Sequence, residues 1–262
     1  MSQTLVVKFG GHAITDDAGL FAAAIRQGLD KGLKVVVVHG GGPQINAEIS
    51  ARGITPEFMG GFRVTDQATL EAVEHVLTNQ VGPQIADSLR AHSIPACAIS
   101  GRDVLVATKL THLVDGTPVD LGFVGAVTEV KSEKIIQALD GAQVPVISPV
   151  ASDLNRDGAL NVNADLAAAA IAGALDAQSL IVMTDVAGIY RNWPDVNSLI
   201  ESISRDELFS IKDSFTEGMA PKVAACLEAI DNGARAVRII DGRDPQAFSQ
   251  ALKNSGGTLV SA

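Results

Sequence analysis

A run of valines that ends in three glycines constrains this chain more than any other feature. Val35–Val38 are four β-branched residues in a row, a pattern typical of a strand buried on both faces of a parallel sheet. Gly40, Gly41 and Gly42 then remove every side chain where the strand should end, and Pro43 suits the first turn of a helix. Free backbone N–H groups at such a turn form an anion site. We interpret these glycines as a phosphate cradle, with a tight strand-to-helix turn that binds nothing as the alternative.

A second strand that ends in glycine lies near the start of the chain. Leu5–Phe9 is predicted to be a short buried strand with Lys8 inside it, followed by Gly10 and Gly11. A lysine inside a strand is costly unless its ammonium group meets an anion. The alternative is a lysine whose side chain snorkels out of an edge strand. Two strand–glycine–helix units in the first 52 residues predict parallel neighbours whose turns lie at the same sheet edge.

Composition excludes several classes of protein. Of the 262 residues 47% are hydrophobic, but no apolar run reaches the ~20 residues that span a bilayer. The net charge of −10 is spread over both halves, so we expect neither a nucleic-acid partner nor a membrane partner. Cys97 and Cys226 are too few for a disulfide framework, and the start of the chain lacks a signal peptide's pattern. We expect a cytoplasmic protein.

Strand and helix patterns alternate along the chain, which predicts an α/β fold with a mainly parallel sheet. Within it, residues 104–130 are expected to form a hairpin over the sheet, and Val144–Val150 one core strand. In the second half Asn161, Asn163 and Asp165 alternate, so they would point to one side of an extended segment.

Two polar side chains near the cradle have open assignments. Arg63 is predicted to lie on the loop immediately before a helix that Asp66 or Thr65 caps, where its guanidinium could grip a carboxylate. An ordinary surface arginine is the alternative. For His39, which precedes the cradle, a structural imidazole bonded to the backbone is favoured over a catalyst.

Two common nucleotide motifs are missing. The chain lacks a Gly-x-Gly-x-x-Gly motif, because Ile45 occupies the third glycine position, and it lacks the Gly-x-x-x-x-Gly-Lys-Ser/Thr motif. Dinucleotide-binding and ordinary P-loop interpretations are therefore weak.

Six segments of the chain form an ordered set: Val7–Gly11, Val38–Pro43, Gly61–Thr65, Asn161–Asp165, Thr184–Gly188 and Gly218–Lys222. They come in the order seen in the amino-acid kinase family. The chain resembles this family from residue 5 to about 260, and most closely the branch that acts on N-acetyl-L-glutamate. The resemblance implies an open three-layer αβα sandwich with a mainly parallel central sheet. It also implies one continuous domain, with acceptor binding and dimerisation in residues 1–155 and ATP binding in residues 156–262.

The activity implied is ATP-dependent phosphorylation of the side-chain carboxylate of N-acetyl-L-glutamate in arginine biosynthesis. The catalytic residues implied are Lys8, Lys222, Asp165 and Gly11. The acceptor-binding residues implied are Gly41, Gly42, Arg63 and Asn161. The nucleotide-binding residues implied are Asp185, Gly188, Ser214, Phe215 and Thr216. No cluster of metal ligands is visible, so Mg²⁺ is expected to ride mainly on the ATP phosphates.

Alternatives to this activity stay open. A kinase of lysine biosynthesis that acts on an acetylated or carrier-linked 2-aminoadipate differs by one methylene, which is worth only ~1–3 kcal/mol of discrimination. A non-catalytic nucleotide-binding regulatory protein would share the fold. Arginine-inhibited hexameric relatives carry an extra N-terminal helix, and Lys8 leaves no room for one. We therefore expect a homodimer that arginine does not inhibit.

Overall fold

The structure is a computed structural model, and it describes residues 3–10, 19–113, 116–215 and 219–262. The described residues form these strands: β1 Thr4–Phe9, β2 Lys34–His39, β3 Phe58–Met59, β4 Phe62–Arg63, β5 Ala96–Ile99, β6 Leu105–Lys109, β7 Val124–Val130, β8 Val144–Ile147, β9 Val150–Asp153, β10 Ala159–Val162, β11 Ser179–Thr184, β12 Ser202–Ser204, β13 Ala236–Asp241 and β14 Thr258–Ser261. They also form these α-helices: α1 Leu20–Asp30, α2 Gly42–Ala51, α3 Gln67–Glu74, α4 Gly82–Ala91, α5 Glu133–Asp140, α6 Ala164–Ala174, α7 Arg205–Ile211, α8 Ala220–Asp231 and α9 Ala247–Ala251.

An eight-stranded sheet forms the centre of the fold. Its strand order is β12-β14-β13-β11-β1-β2-β8-β5. Every neighbouring pair is parallel except β13 with β14. The prediction of an α/β fold with a mainly parallel sheet is confirmed. Because β1 lies between β2 and β11, Lys8 belongs to a central strand. The interpretation of Lys8 as a side chain snorkelling from an edge strand is therefore wrong.

Helices cover both faces of this sheet. Val36 and Val38 of β2 pack in the core beneath α5, α6, α7 and α8, whereas Val35 and Val37 pack beneath α1, α2, α3, α4 and α9. Successive side chains of a strand point to opposite faces, so four valines in a row fill both cores. The three-layer αβα arrangement that was predicted is thus observed.

A four-stranded barrel, β10-β7-β6-β9, lies beside the main sheet. Its β6 and β7 are antiparallel, as expected for a hairpin, but they pair within the barrel. The prediction of one strand over Val144–Val150 is wrong. Pro149 has no N–H to donate, so the strand breaks there into β8 in the main sheet and β9 in the barrel.

The prediction that Asn161, Asn163 and Asp165 share one side of an extended segment is also wrong. β10 ends at Val162, and the side-chain oxygen of Asn163 accepts hydrogen bonds from the backbone N–H groups of Asp165 and Leu166. Such a cap starts a helix, so Asp165 lies in the first turn of α6.

A long helical segment follows the β3–β4 hairpin. Asp66 caps it by accepting a hydrogen bond from the backbone N–H of Thr69 at 2.7 Å, as predicted. The segment continues through α3, a π-helical stretch at His75–Val81, and α4. Among the described residues, no helix combines the length and apolar character that crossing a bilayer requires.

Candidate active site

A cavity of about 180 Å³ opens where the strands of the main sheet reach their carboxyl ends. Glycines and apolar side chains line most of it, and its polar side chains are Arg63, Asn161 and Asn163. The other lining residues are Gly40, Gly41, Gly42, Ile45, Phe58, Gly61, Phe62, Leu77, Val124, Pro149, Val162 and Ala164. The strand–glycine–helix turn predicted at the cradle is observed, because β2 ends at His39 and α2 begins at Gly42. Pro43 lies in the first turn of that helix.

The glycines of the cradle have different surroundings. A Cβ atom on Gly41 would lie 2.5 Å from Cδ2 of Leu77, so a larger residue would displace that leucine. A Cβ atom on Gly42 would meet nothing within 4 Å and would enter the open space of the cavity. Leu77 itself belongs to the π-helical stretch, a form that occurs frequently at functional sites.

Lys8 and Asp165 form an ion pair inside the fold. Nζ of Lys8 lies 2.8 Å from Oδ1 of Asp165, and the two side chains are only 12% and 9% exposed. The contact is a close ion pair rather than a well-directed hydrogen bond at Oδ1. A buried lysine of this kind needs its partner, since an unpaired charge would be costly at this depth. Lys8 therefore meets an anion, as its position in a buried strand predicted.

Lys222, in the first turn of α8, interacts electrostatically with the same Asp165 carboxylate. Burial alone would raise the pKa of Asp165, but the positive charges of Lys8 and Lys222 outweigh burial and hold that pKa below its ordinary value. No carboxylate lies within 4.0 Å of the Lys222 ammonium group in the part of the chain that the structure describes. Two lysines that are 214 positions apart in the sequence are thus brought to one anion.

Arg63 faces the cavity from the strand β4. Its residue is only 8% exposed, so the alternative of an ordinary surface arginine is wrong. Its Nη2 donates a hydrogen bond to Oδ1 of Asn46 at 2.7 Å, and its guanidinium lies 4.6 Å from the ring centroid of Phe58. Its Nη1 is buried and has no hydrogen-bond partner among the described residues. Burial lowers the pKa of Arg63, and a free donor on a buried cation is the arrangement that an incoming carboxylate requires.

The expected location of Arg63, on the loop directly before a helix, needs correction. The residue lies in β4, which pairs with β3, and α3 begins only at Gln67. The hairpin forms because Gly60 and Gly61 both adopt positive φ angles, of 56° and 83°, which turn the chain tightly.

Asn161 lies on the same cavity at the end of β10. Its Nδ2 donates to Oγ1 of Thr65 at 3.1 Å, and that hydroxyl donates to the carbonyl oxygen of Arg63. The structure therefore brings Arg63 and Asn161 together on one wall, linked through Thr65.

His39 has the contacts of a structural residue. The residue is fully buried, and its Nδ1–H donates to the carbonyl oxygen of Gly40 at 2.8 Å. Burial lowers the pKa of His39 to about 4, against a smaller opposing effect of that hydrogen bond. The imidazole is therefore neutral at physiological pH. The expected hydrogen bond to the backbone is present at Nδ1, whereas Nε2 is buried without a hydrogen-bond partner among the described residues.

The residues expected to lie along a nucleotide are spread beyond the C-terminal end of β11. Asp185 is exposed and accepts a hydrogen bond from Oγ1 of Thr184 at 2.9 Å. Gly188 is buried, and a Cβ atom on it would lie 2.4 Å from Oγ1 of Thr258, so its lack of a side chain serves packing. Ser214 donates to the carbonyl oxygen of Ile211, and Phe215 borders a groove of about 610 Å³ between α8 and the β3–β4 hairpin. Their contact with a nucleotide stays a prediction.

Gly11, Thr216 and Gly218 lie outside the described residues, so the predictions for them also stay predictions. Sequence reasoning missed Asn46, Phe58 and Leu77, which shape the site through Arg63 and Gly41. Asn46 comes three residues after Pro43, and its position in the first turns of the predicted helix was the available signal. Phe58 and Leu77 had no comparable signal, because their contacts depend on the hairpin and on the π-helical stretch.

The donors of the site suit anionic oxygens. Within the described ranges, no three His, Cys, Asp or Glu side chains are grouped so that they could hold a metal. Two lysines, a buried arginine and a glycine turn instead converge on one edge of the sheet. The fold and the site together define an α/β protein with a cationic, glycine-lined cleft for anionic ligands.

Comparisons with known proteins identify the family. The family model for the amino acid kinase family matches residues 3–241, and the chain belongs to this family. Over 254 residues it is 45% identical to the acetylglutamate kinase of Arthrobacter sp. (strain FB24), with 94% of this chain and 82% of that protein covered.

Two solved structures are similar over nearly the whole chain. The protein smu.665 from Streptococcus mutans UA159 has a TM-score of 0.83 and 29% identity, with both chains covered fully. N-acetylglutamate synthase from Neisseria gonorrhoeae, complexed with coenzyme A and N-acetyl-glutamate, has a TM-score of 0.83 and 25% identity, with 99% of this chain and 59% of that chain covered. The family resemblance stated from the sequence is confirmed.

Proposed function

We propose that this chain is an acetylglutamate kinase, which transfers the γ-phosphoryl group of ATP to the side-chain carboxylate of N-acetyl-L-glutamate in arginine biosynthesis. The observation that carries the proposal is the arrangement of Lys8, Asp165 and Lys222 beside a glycine-lined cavity whose opposite wall holds Arg63. The acetylglutamate kinases at 43–45% identity support the choice of acceptor.

The acceptor needs no general base. A glutamate side chain has a reference pKa near ~4.3, so its carboxylate is already ionised at neutral pH. His39 agrees with this requirement, because it is buried, neutral and bonded to the backbone. The chain has to bring one anion to another and hold both in line.

Repulsion between the reactants is the obstacle that the cations remove. Two unit charges ~4 Å apart repel by about 4 kcal/mol at an effective dielectric constant of ~20. Lys8 would stabilise the transferring phosphoryl group from the acceptor side, and Lys222 from the side of the leaving oxygen. Backbone N–H groups of Gly11, Gly41 and Gly42 would bind its oxygens. Asp165 would hold both ammonium groups in place and keep them protonated.

The acceptor's other end would bind at the opposite wall. Arg63 would clamp the α-carboxylate through its free Nη1, and Asn161 would add a hydrogen bond to the same end. Asn46 and Phe58 would hold the guanidinium in the orientation that leaves Nη1 facing the ligand. The apolar side chains Ile45, Phe62 and Val124 would enclose the acyl group and methylenes.

The nucleotide would lie toward the C-terminal part of the chain. Asp185, Gly188 and the segment Ser214–Thr216 would lie along it, and Mg²⁺ would be held by its phosphates and water. The metal would supply further neutralisation of phosphate charge when bound. Residues 1–155 would form the acceptor and dimerisation part, and residues 156–262 the nucleotide part. We further propose that the chain forms a homodimer and that it acts in the cytoplasm.

The test is turnover with three candidate acceptors. Purified protein is incubated with ATP, Mg²⁺ and hydroxylamine, which traps an acyl phosphate as a hydroxamate. N-acetyl-L-glutamate should give hydroxamate far faster than N-acetyl-2-aminoadipate, and N-acetyl-aspartate serves as the short control. Faster reaction of the aminoadipate derivative would assign the chain to the lysine route. Binding of ATP without hydroxamate from any acceptor would indicate a non-catalytic nucleotide-binding protein.

A further inference from the structure

Arg63 is one of two buried arginines among the described residues, and Arg238 on β13 is the other. Arg238 is 4% exposed, and its Nη1 donates to the carbonyl oxygen of Gly256 at 2.5 Å. It forms no ion pair with any described carboxylate, and burial lowers its pKa without an acidic group to oppose the effect. The other two guanidinium nitrogens have no hydrogen-bond partner among the described residues and are not sealed from solvent, so their N–H groups are available to an anion that enters from outside.

Arg238 lines a second cavity, which is separate from the acceptor pocket. This amino-edge cavity has a volume of about 590 Å³, within the ~300–1,000 Å³ typical of small-molecule sites. Gln3, Ser179 and Ala236 place it where β1, β11 and β13 begin. Because these strands are parallel, their N-terminal ends lie together at one edge of the sheet, the amino edge. The cradle and Lys8 lie toward the opposite edge, where the strands end.

The cavity exists because the helix layer is thin at this point. Arg238 points to the same face of the sheet as Ile240, which packs in the core beneath α1 and α9. Helix α9 has only five residues and ends at Ala251, while α1 ends at Asp30, so neither helix covers the start of β13. The gap is closed from one side by the loop between α9 and β14.

A second cation stands at the rim of this cavity. Lys31, directly after α1, donates through Nζ to the carbonyl oxygen of Leu252 at 2.5 Å, and it forms no ion pair with a described residue. Lys31 and Arg238 thus both use carbonyl oxygens of the α9–β14 loop as partners. The remaining polar side chains that line the cavity are amides and a hydroxyl: Gln3, Gln178, Ser179 and Asn254.

We infer that the amino-edge cavity is a binding site for a small dianion with carboxylate or phosphoryl oxygens, held by Arg238 at its floor and Lys31 at its rim. No acidic side chain lines the cavity, so an anion would meet two positive charges and neutral donors only. The carboxylate or phosphoryl oxygens would take the guanidinium donors that Gly256 leaves free, as such groups bind arginine through two parallel hydrogen bonds.

The experiment is isothermal titration of the full chain with inorganic phosphate and, separately, with succinate. Both titrations are repeated with saturating AMP-PNP and Mg²⁺, which removes any phosphate that binds in the catalytic cleft. We expect binding that persists with AMP-PNP and that weakens about tenfold or more in Arg238→Met and in Lys31→Gln. Arg238→Lys should retain part of it. Lys253→Gln, which removes an exposed positive charge from the same loop, is the matched control and should bind as the native chain does.

Binding of only one of the two anions would identify the chemistry of the ligand and would support the site. The inference is overturned if the native chain binds neither anion in the presence of AMP-PNP, or if Arg238→Met binds them as tightly as Lys253→Gln. Should Arg238→Met fail to fold, Lys31→Gln decides, since it changes only the rim of the cavity. Failure of the proposed kinase activity would leave this result untouched, because the titration measures no turnover.

Discussion

Lys8 and Asp165 form a buried ion pair whose Nζ–Oδ1 distance is 2.8 Å, although the residues come from different structural units. Lys8 stands on the central strand β1, and Asp165 stands in the first turn of α6, which Asn163 caps. The pair joins the main sheet to the helix layer next to Asn163 and Ala164, which line the cavity at the cradle. Under the proposed function, stability and catalysis would therefore depend on the same contact.

Replacing Lys8 by Met should affect both properties. Turnover should fall about 100-fold or more, because a charge that stabilises the transferring phosphoryl group is lost. The free energy of unfolding at pH 7 should fall by about 3 kcal/mol, because Asp165 keeps its charge in a buried place without its nearest partner. The stability deficit should shrink as the pH falls, since Asp165 then takes up a proton. Steady-state kinetics and denaturant unfolding at pH 5 and pH 7 measure these effects.

Lys222→Met is the matched variant for this experiment. Its turnover should fall as steeply as that of Lys8→Met, whereas its stability should change by less than about 1 kcal/mol, because Lys222 is partly exposed and makes no close ion pair with a described residue. Equal losses of stability in the two variants would contradict the distinction between a buried pair and a distant charge.

Arg63→Met should act on acceptor binding. We expect the KM for N-acetyl-L-glutamate to rise about 100-fold while kcat changes by no more than about threefold, because the clamp holds the acceptor's far end in ground state and transition state alike. Asn46→Ala should raise the same KM about tenfold, since it frees the guanidinium from its side-chain partner. Arg52→Met, at the exposed residue directly after α2, is the control. A fall in kcat at unchanged KM in Arg63→Met would refute the clamp.

Gly41→Ala should destabilise the fold by about 1–3 kcal/mol, because the added methyl group would meet Leu77 at 2.5 Å. Leu77→Ala should relieve that clash, so the double variant should lose less stability than the sum of the two single losses. Gly42→Ala, whose methyl group meets nothing within 4 Å, should leave stability within about 0.5 kcal/mol. Thermal unfolding of the two single variants and the double variant measures these stabilities. If the stability losses of Gly41→Ala and Leu77→Ala simply add in the double variant, the contact between the two positions does not affect stability.

The residue patterns predicted those features that depend on one strand and its turn. Val35–Val38 fill both faces of the sheet, the glycines end β2, and the buried position of Lys8 indicated its need for an anion. These predictions succeeded because side-chain alternation and burial are local properties. Asp165, the partner of Lys8, was named only as a catalytic residue implied by the resemblance to a family, since it lies 157 positions further on.

Two of the failures have a common physical cause, which is competition between local conformations that the sequence alone does not rank. Asn163 could continue a strand or cap a helix, and its two backbone hydrogen bonds decide for the helix. Pro149 could have marked a bulge, but it moves the chain from the sheet to the barrel. Burial of Arg63 depends on the β3–β4 hairpin, so its environment could not be inferred from neighbouring residues.

The raised pKa of Glu228 predicts how the free energy of unfolding depends on pH. Burial in α8 raises the pKa of Glu228 to about 7, against an ordinary value of 4.5 in the unfolded chain. A carboxyl group with a raised folded pKa stabilises the fold fully below about pH 4.5, and that contribution is lost as the pH rises through about 7. Glu228→Gln should therefore match the native chain near pH 4.5 and exceed its unfolding free energy by about 3 kcal/mol at most at pH 8. Denaturant unfolding between pH 4.5 and 8 measures the difference, with exposed Glu201→Gln as the control. A constant difference across this range would mean that Glu228 titrates alike in both states.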